Sequence, residues 1–232
     1  MNLLAFESSA KAASVALFSE NGLLGEKYRD DGLTHSQTLM PMAQQLLEEC
    51  NLRPEDIHAV AVAAGPGSFT GVRIGVSAAK GFAWGRQIPC YGVSTLESMA
   101  RQMAGSEGYI LPVMDARRQQ VYTALFECTS GVVTRLWEDC AISLEELAAQ
   151  IKTLEKPIFL VGDGSILCYN TLKEQIPGLV VQPPERMHQR ARGVGLAALA
   201  AIVAGARGDA ASLTPNYLRL SQAERERLEK LG

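Results

Sequence analysis

Tyr109-Ile110-Leu111-Pro112-Val113-Met114-Asp115 is an apolar run of strand length that ends in an acid, and it restarts a pattern that opened the chain at Leu3-Leu4-Ala5-Phe6-Glu7. Upstream of it the residue pattern predicts strands over 3–6, 13–18 and 23–28, with Asn21-Gly22 as the turn of the second hairpin. A helix over 34–50, a buried strand over 59–63, a helix to about Gly85, a strand over 89–93 and a helix over 95–103 follow. Downstream the same order returns: strands over 109–114, 121–126 and 132–137, a helix over 143–152 opened by a Ser143/Glu146 capping box, a strand over 158–161, a helix over 166–175, a strand over 179–181 and an alanine-rich helix over 193–204. The residues differ between the halves while the order of elements repeats.

A unit βββαβαβα written twice resembles the plan of the actin–sugar kinase–Hsp70 superfamily, an α/β fold of two ribonuclease-H-like lobes around a cleft. The polar link Gly105-Ser106-Glu107-Gly108 places the boundary, giving lobes of 1–106 and 107–232. The charged tail 222–231 reads as a solvated, frayed helix.

Composition narrows the function classes. With 25 acidic against 22 basic residues the net charge is −3, too low for a surface that holds nucleic acid by charge alone. Contact with nucleic acid is therefore expected to be shared with a more basic partner. The N-terminus lacks the cationic start of a signal peptide, and the longest apolar stretch, 196–206, is too short to span a bilayer. Five dispersed cysteines without a C-x-x-C pair read as reduced thiols of a cytoplasmic protein.

The segment Gly65-Pro-Gly-Ser-Phe-Thr-Gly-Val-Arg-Ile-Gly75 joins a strand to a helix. Backbone N–H groups from Ser68 to Gly71 are an anion-site candidate. It is not a P-loop, because Val72-Arg73 follows Gly71, and it fails G-x-G-x-x-G at Thr70. The simpler reading is a tight turn with Ser68 or Thr70 capping the helix. This segment, with Leu4-Ala5-Phe6, Gly92-Val-Ser-Thr95, Asp115-Ala-Arg117 and Pro215-Asn-Tyr-Leu-Arg219, resembles the TsaB (YeaZ) family from the first strand to the last twenty residues. The resemblance implies a role in transferring threonylcarbamoyl to tRNA adenosine, with a TsaD-like subunit as catalyst and a TsaE-like ATPase as a further partner. It also implies a homodimer when alone, tRNA reached only through the complex, and ATP or ADP with Mg²⁺ confined to the complex. One departure is Glu7-Ser8, where many relatives carry Asp-Thr or Asp-Ser.

Catalytic parts are sparse. His35 has Leu39 at i+4, so the paired-histidine metal site of the TsaD branch is absent, and His58 and His188 offer no second ligand by spacing. No residue is expected to be catalytic and no metal ligand is assigned. A kinase of the same superfamily would use Glu7 and Asp115 across the cleft; Glu7, Ser8, Ser68, Asp115 and Arg117 are the anion or cleft candidates. A peptidase has no G-x-S-x-G elbow to rest on.

The helices suggest a partner instead. His35, Leu39, Met42 and Leu46 form one stripe, and Met40, Ala43 and Leu47 a second about a hundred degrees round. Two apolar faces imply two neighbours. On the next helix Gly71, Gly75, Ala78 and Phe82 share a face whose glycines suggest close helix–helix approach. The expectation is a partner or dimer interface made by His35, Leu39, Met42, Leu46, Gly71, Gly75, Ala78 and Phe82, a four-helix bundle between chains.

Overall fold

The computed structural model describes residues 1–219, so the expected tail helix over 222–231 lies outside the described residues. The first sheet runs β3 (Gly22–Arg29), β2 (Ala13–Ser19), β1 (Leu3–Glu7), β4 (Ala59–Gly65) and β5 (Cys90–Ser94). β1 pairs antiparallel with β2 and parallel with β4, so it is central. Both of its faces are buried, which is why it reads as an unbroken apolar run rather than an alternation. Leu4 and Phe6 face α1 (His35–Glu49) and α2 (Phe69–Trp84) in one core cluster. Leu3 and Ala5 face α7 (Ala191–Val203) in another, where an alanine-lined sheet meets an alanine-rich helix. Each fully buried Leu or Phe here stabilises by about 2 kcal/mol.

The second sheet is built on β6 (Gly108–Asp115), flanked by β11 (Ile158–Val161) and β12 (Leu179–Val181) on one side. On the other side the expected strand over 121–126 is broken into β7 (Gln120–Thr123) and β8 (Phe126–Thr129). Pro112 supplies the reason. It sits in a central strand without an N–H to donate, and the ladder opens opposite it at Ala124-Leu125. The Thr123 hydroxyl donates to the Pro112 carbonyl at 2.8 Å. The third strand divides as well: β9 (Val132–Arg135) follows β8, and β10 (Cys140–Ser143), which sequence reading missed, follows β7. α4 (Leu144–Ile151), opened by the expected Ser143/Glu146 box, and α5 (Ser165–Leu172) cover one face. A short α6 (Pro184–Met187) leads into α7.

The link near residue 106 divides the sheets, but not the helices. α3 (Thr95–Arg101) buries Leu96, Met99 and Ala100 against the second sheet, while α7 covers the first. The two cross closely: a Cβ on Gly193 would overlap the Ser98 carbonyl oxygen. Among the described residues no helix is long and apolar enough to cross a membrane.

Candidate functional site

The glycine loop packs on the end of β1. Ser68 caps α2, accepting from the Gly71 N–H at 3.3 Å, and its own N–H donates to Ser9 O at 2.7 Å. A Cβ on Gly67 would overlap the Ser9 carbonyl oxygen, one on Gly71 the Ser8 carbonyl oxygen, and one on Gly75 the Ser8 hydroxyl. That hydroxyl donates to Gly71 O at 2.8 Å. The glycines therefore let a helix lie directly on a strand end, not on a helix of another chain. This corrects the expected interface: Gly71 and Gly75 are buried inside their own lobe.

The same contact removes two cleft candidates. Glu7 and Ser8 are 0% exposed beneath α2 and do not line the cleft. One Glu7 oxygen accepts from the Ser9 N–H at 2.6 Å, and the other is buried without a hydrogen-bond partner. Burial pushes the Glu7 carboxyl up to about 7, against the lowering effect of its hydrogen bonds.

The cleft itself, about 670 Å³, has Ser9 to Lys11 and Gly67 to Thr70 on one wall. Met114 to Arg117, Tyr122 and Asp163 make the other. Of the sequence candidates it brings together Ser68, Asp115 and Arg117. Asp115 Oδ1 accepts from the Arg117 N–H at 2.7 Å, capping a turn in which Arg117, Arg118 and Gln119 all have left-handed φ of 67°, 56° and 61°. Non-glycine residues adopt that region at a cost of about 1–2 kcal/mol each. Asp163 accepts from Gln189 Nε2 at 3.0 Å, and desolvation raises its carboxyl above the ordinary range. Two carboxylates on one wall, Lys11 and Arg117 on facing walls and the N-terminus of α2 make a mixed-charge site. His35 Nε2 bonds Ala10 O at 2.9 Å, and burial pushes the Cys90 and Cys168 thiols up to about 12. Among the described residues no group of three or more His, Cys, Asp or Glu could hold a metal.

The α1 stripe is corrected too. Leu39, Met42 and Leu46 are buried against the sheet, so they are core and not interface, and His35 is half-buried over Gly71. A helix on a sheet turns its widest apolar face inward, and this stripe is that face. Of the second stripe, Ala43 and Leu47 join the same core at 1% and 3% exposure, and only Met40 points out. Met40, Ala43 and Leu47 line an open apolar groove of about 600 Å³ with Pro41, Leu52 and Phe82. Met40 is 41% exposed, and Ala78 and Phe82 on α2 are half-buried.

The segment after α7 returns to the cleft. Lys80 Nζ donates to Ala211 O and Leu213 O, and the Asn216 N–H to Ala64 O at 2.7 Å. Tyr217 stacks on Phe69 at 4.4 Å between centroids, and Arg73 Nε donates to its hydroxyl at 2.7 Å. Arg219 Nη1 donates across the cleft to Ala116 O at 2.5 Å.

The chain is 34% identical over 229 residues to the tRNA threonylcarbamoyladenosine biosynthesis protein TsaB of Bacillus subtilis, covering 99% of both chains. The chain belongs to the TsaB (YeaZ) family. YeaZ from Pseudomonas aeruginosa superposes with a TM-score of 0.79 at 27% identity, covering 94% of this chain and 99% of that one. The family model described as TsaD, tRNA N6-adenosine threonylcarbamoyltransferase, matches residues 32–227, so the chain lies within that broader family. Component A of the (R)-2-hydroxyglutaryl-CoA dehydratase of Acidaminococcus fermentans, at TM-score 0.52 and 11% identity over 86% of this chain and 97% of that one, shares the fold alone. The fold is the two-lobed actin–sugar kinase–Hsp70 type.

Asp163, Gln189, Phe69, Tyr217 and Arg219 were not among the sequence candidates. Gly162-Asp163-Gly164 carried a signal: its glycines lie against Val113 and the Asp115 N–H, as Gly67 and Gly71 lie against β1's end. Tyr217 and Arg219 stood in the quoted Pro215–Arg219 segment, but no role followed from it, because the partner of Arg219 is a main-chain carbonyl far along the chain.

Proposed function

We propose that this TsaB-family chain takes part in tRNA threonylcarbamoyladenosine biosynthesis as a partner-binding subunit. In this reading it supports a TsaD-like catalytic subunit in transferring threonylcarbamoyl to tRNA adenosine, and performs no transfer itself. The observation that carries the reading is the apolar groove between α1 and α2, with Met40 and Pro41 exposed at its rim, Leu52 and Phe82 half-buried and Leu47 buried in its floor. Such a groove fits an apolar helix of a partner, through i, i+3, i+4 anchors. The TsaD-like subunit is its occupant in the complex, and a second copy of the chain is its occupant alone. A TsaE-like ATPase and tRNA join through the assembly, in the cytoplasm. The burial of Glu7 under α2 weighs against a kinase, which would need that acid in the cleft.

Met40→Glu is the test. Placing a charge in the apolar contact should weaken capture of the TsaD-like subunit by about a hundredfold while leaving circular dichroism unchanged. Threonylcarbamoyladenosine in tRNA from a depleted strain carrying the variant, read by mass spectrometry, should fall with it. Retained capture and normal nucleoside would sink the reading. ATP hydrolysis by the isolated chain that vanishes in Asp115→Ala would favour the kinase instead.

A further inference from the structure

We infer that Tyr217 and Arg219 form a clasp that holds the two walls of the cleft together and sets how far the cleft opens. The lobes are joined on one side by the α3–α7 crossing, where Gly193 lies against the Ser98 carbonyl. A body held at one such crossing can open about it by a hinge or shear motion. Beside α3 the Ser94 hydroxyl also donates to Asp139 and Arg135 pairs with Glu97. The segment ending at Arg219 supplies an attachment of another kind, from one cleft wall to the other.

Its anchor on the first lobe is extensive. Leu213 lies against Gly92, Lys80 holds the Ala211 and Leu213 carbonyls, and the Asn216 N–H adds to the end of β4 at Ala64. Asn216 O lies against Gly65, so the segment braces the glycine loop from outside. Tyr217 then stacks on Phe69 with an interplanar angle of 10°, and the Arg73 guanidinium lies 5.5 Å from the Tyr217 ring centroid. Phe69 is a residue of the cleft wall. Two residues on, Arg219 reaches Ala116 O, a residue of the opposite wall. Its acceptor belongs to the turn that Asp115 caps and that holds three successive left-handed residues. A turn under that strain is a low-stability element whose opening a single charged donor can govern.

The full chain is tested by two readouts of that turn: nicking by trypsin after Arg117 or Arg118, and hydrogen exchange of the Ala116 N–H, which donates to Gln120 O at 3.0 Å. Losing one charge-assisted hydrogen bond from a local opening equilibrium raises the open population by about tenfold. Arg219→Ala should therefore accelerate both readouts by about that factor, and Tyr217→Ala should accelerate them in the same direction. Arg219→Lys, which keeps a cationic donor, should fall between. Exchange of the β1 amides should stay at the parent rate in all three. Unchanged nicking and exchange in both alanine variants would overturn the clasp. So would an equal acceleration in β1, because that would mean the segment stabilises the first lobe as a whole rather than the gap between lobes.

Discussion

Glu7 and Asp115 end the first strands of their two lobes, and their surroundings are opposite. Glu7 is wholly buried, with one oxygen unpartnered, while Asp115 is exposed at the cleft and caps a turn. Both strand ends are pressed by glycines: Gly67 of the loop with Gly71 and Gly75 of α2 on the first, Gly162 and Gly164 on the second. The difference lies in what each set covers. α2 lies along Ser8, one residue past Glu7, and seals the acid in. In the second lobe the glycines meet Val113, Met114 and the Asp115 N–H, which leaves the Asp115 carboxylate outside. Duplication places an acid at a strand end; the seating of the next helix decides whether that acid can meet a ligand.

The largest effect should come from forcing α2 off β1. Gly75→Leu should destabilise the chain by about 4 kcal/mol, at the upper end of overpacking, because its Cβ alone overlaps the Ser8 hydroxyl and meets Val62 at 3.3 Å. A milder pair sharpens the cause. Gly75→Ala alone should destabilise, and Ser8→Ala alone should lose about 1 kcal/mol with its hydrogen bond to Gly71 O. The double variant should be less destabilised than the two singles added together, since the overlapping oxygen is gone. Urea unfolding of the four chains decides it, and strict additivity would mean that Gly75 is not held by Ser8.

How far this was legible follows from the range of the interactions. The Ser143/Glu146 box and the position of each acid at a strand end are local and read correctly from spacing, whereas the division of the strand opposite Pro112 was not read. Nor was the face of α2. Glycines at Gly71 and Gly75 announce close approach, but a strand end and a neighbouring helix demand the same missing Cβ. On α1 both stripes were visible, and only the sheet shows that Leu39, Met42 and Leu46 turn inward while Met40 stays out. Exposed polar loops carry no periodicity at all, so Arg219 reaching Ala116 O had no counterpart in the sequence.

Charge gives the second test. The folded state holds the Glu7 carboxyl near 7 against an ordinary value of 4.5, so between those values the fold binds more protons than the unfolded chain. Stability from this group is present below pH 4.5 and is lost as pH rises to 7, amounting to about 3 kcal/mol at 1.36 kcal/mol per unit. Glu7→Gln keeps an oxygen for the Ser9 N–H and cannot ionise. It should match the parent near pH 4 and exceed it by about 3 kcal/mol above pH 8. A parent-minus-variant difference that stays flat across that window would mean that Glu7 is solvated.

Asp115→Asn should do least, and that is its use. The amide oxygen can still accept from the Arg117 N–H, so the turn over Arg117 to Gln119 keeps its cap. What is lost is the ionic character of one acceptor at an exposed position, worth about 0.5 kcal/mol or less. Because the carboxylate is exposed, removing its charge should leave stability close to the parent's where Glu7→Gln raises it. Set side by side in urea titrations at pH 4 and pH 8, the two isosteric variants measure how differently the lobes treat the same kind of residue. If Asp115→Asn stabilises the chain at pH 8 as Glu7→Gln should, then the cleft desolvates Asp115 as thoroughly as α2 desolvates Glu7, and the contrast between the strand ends fails.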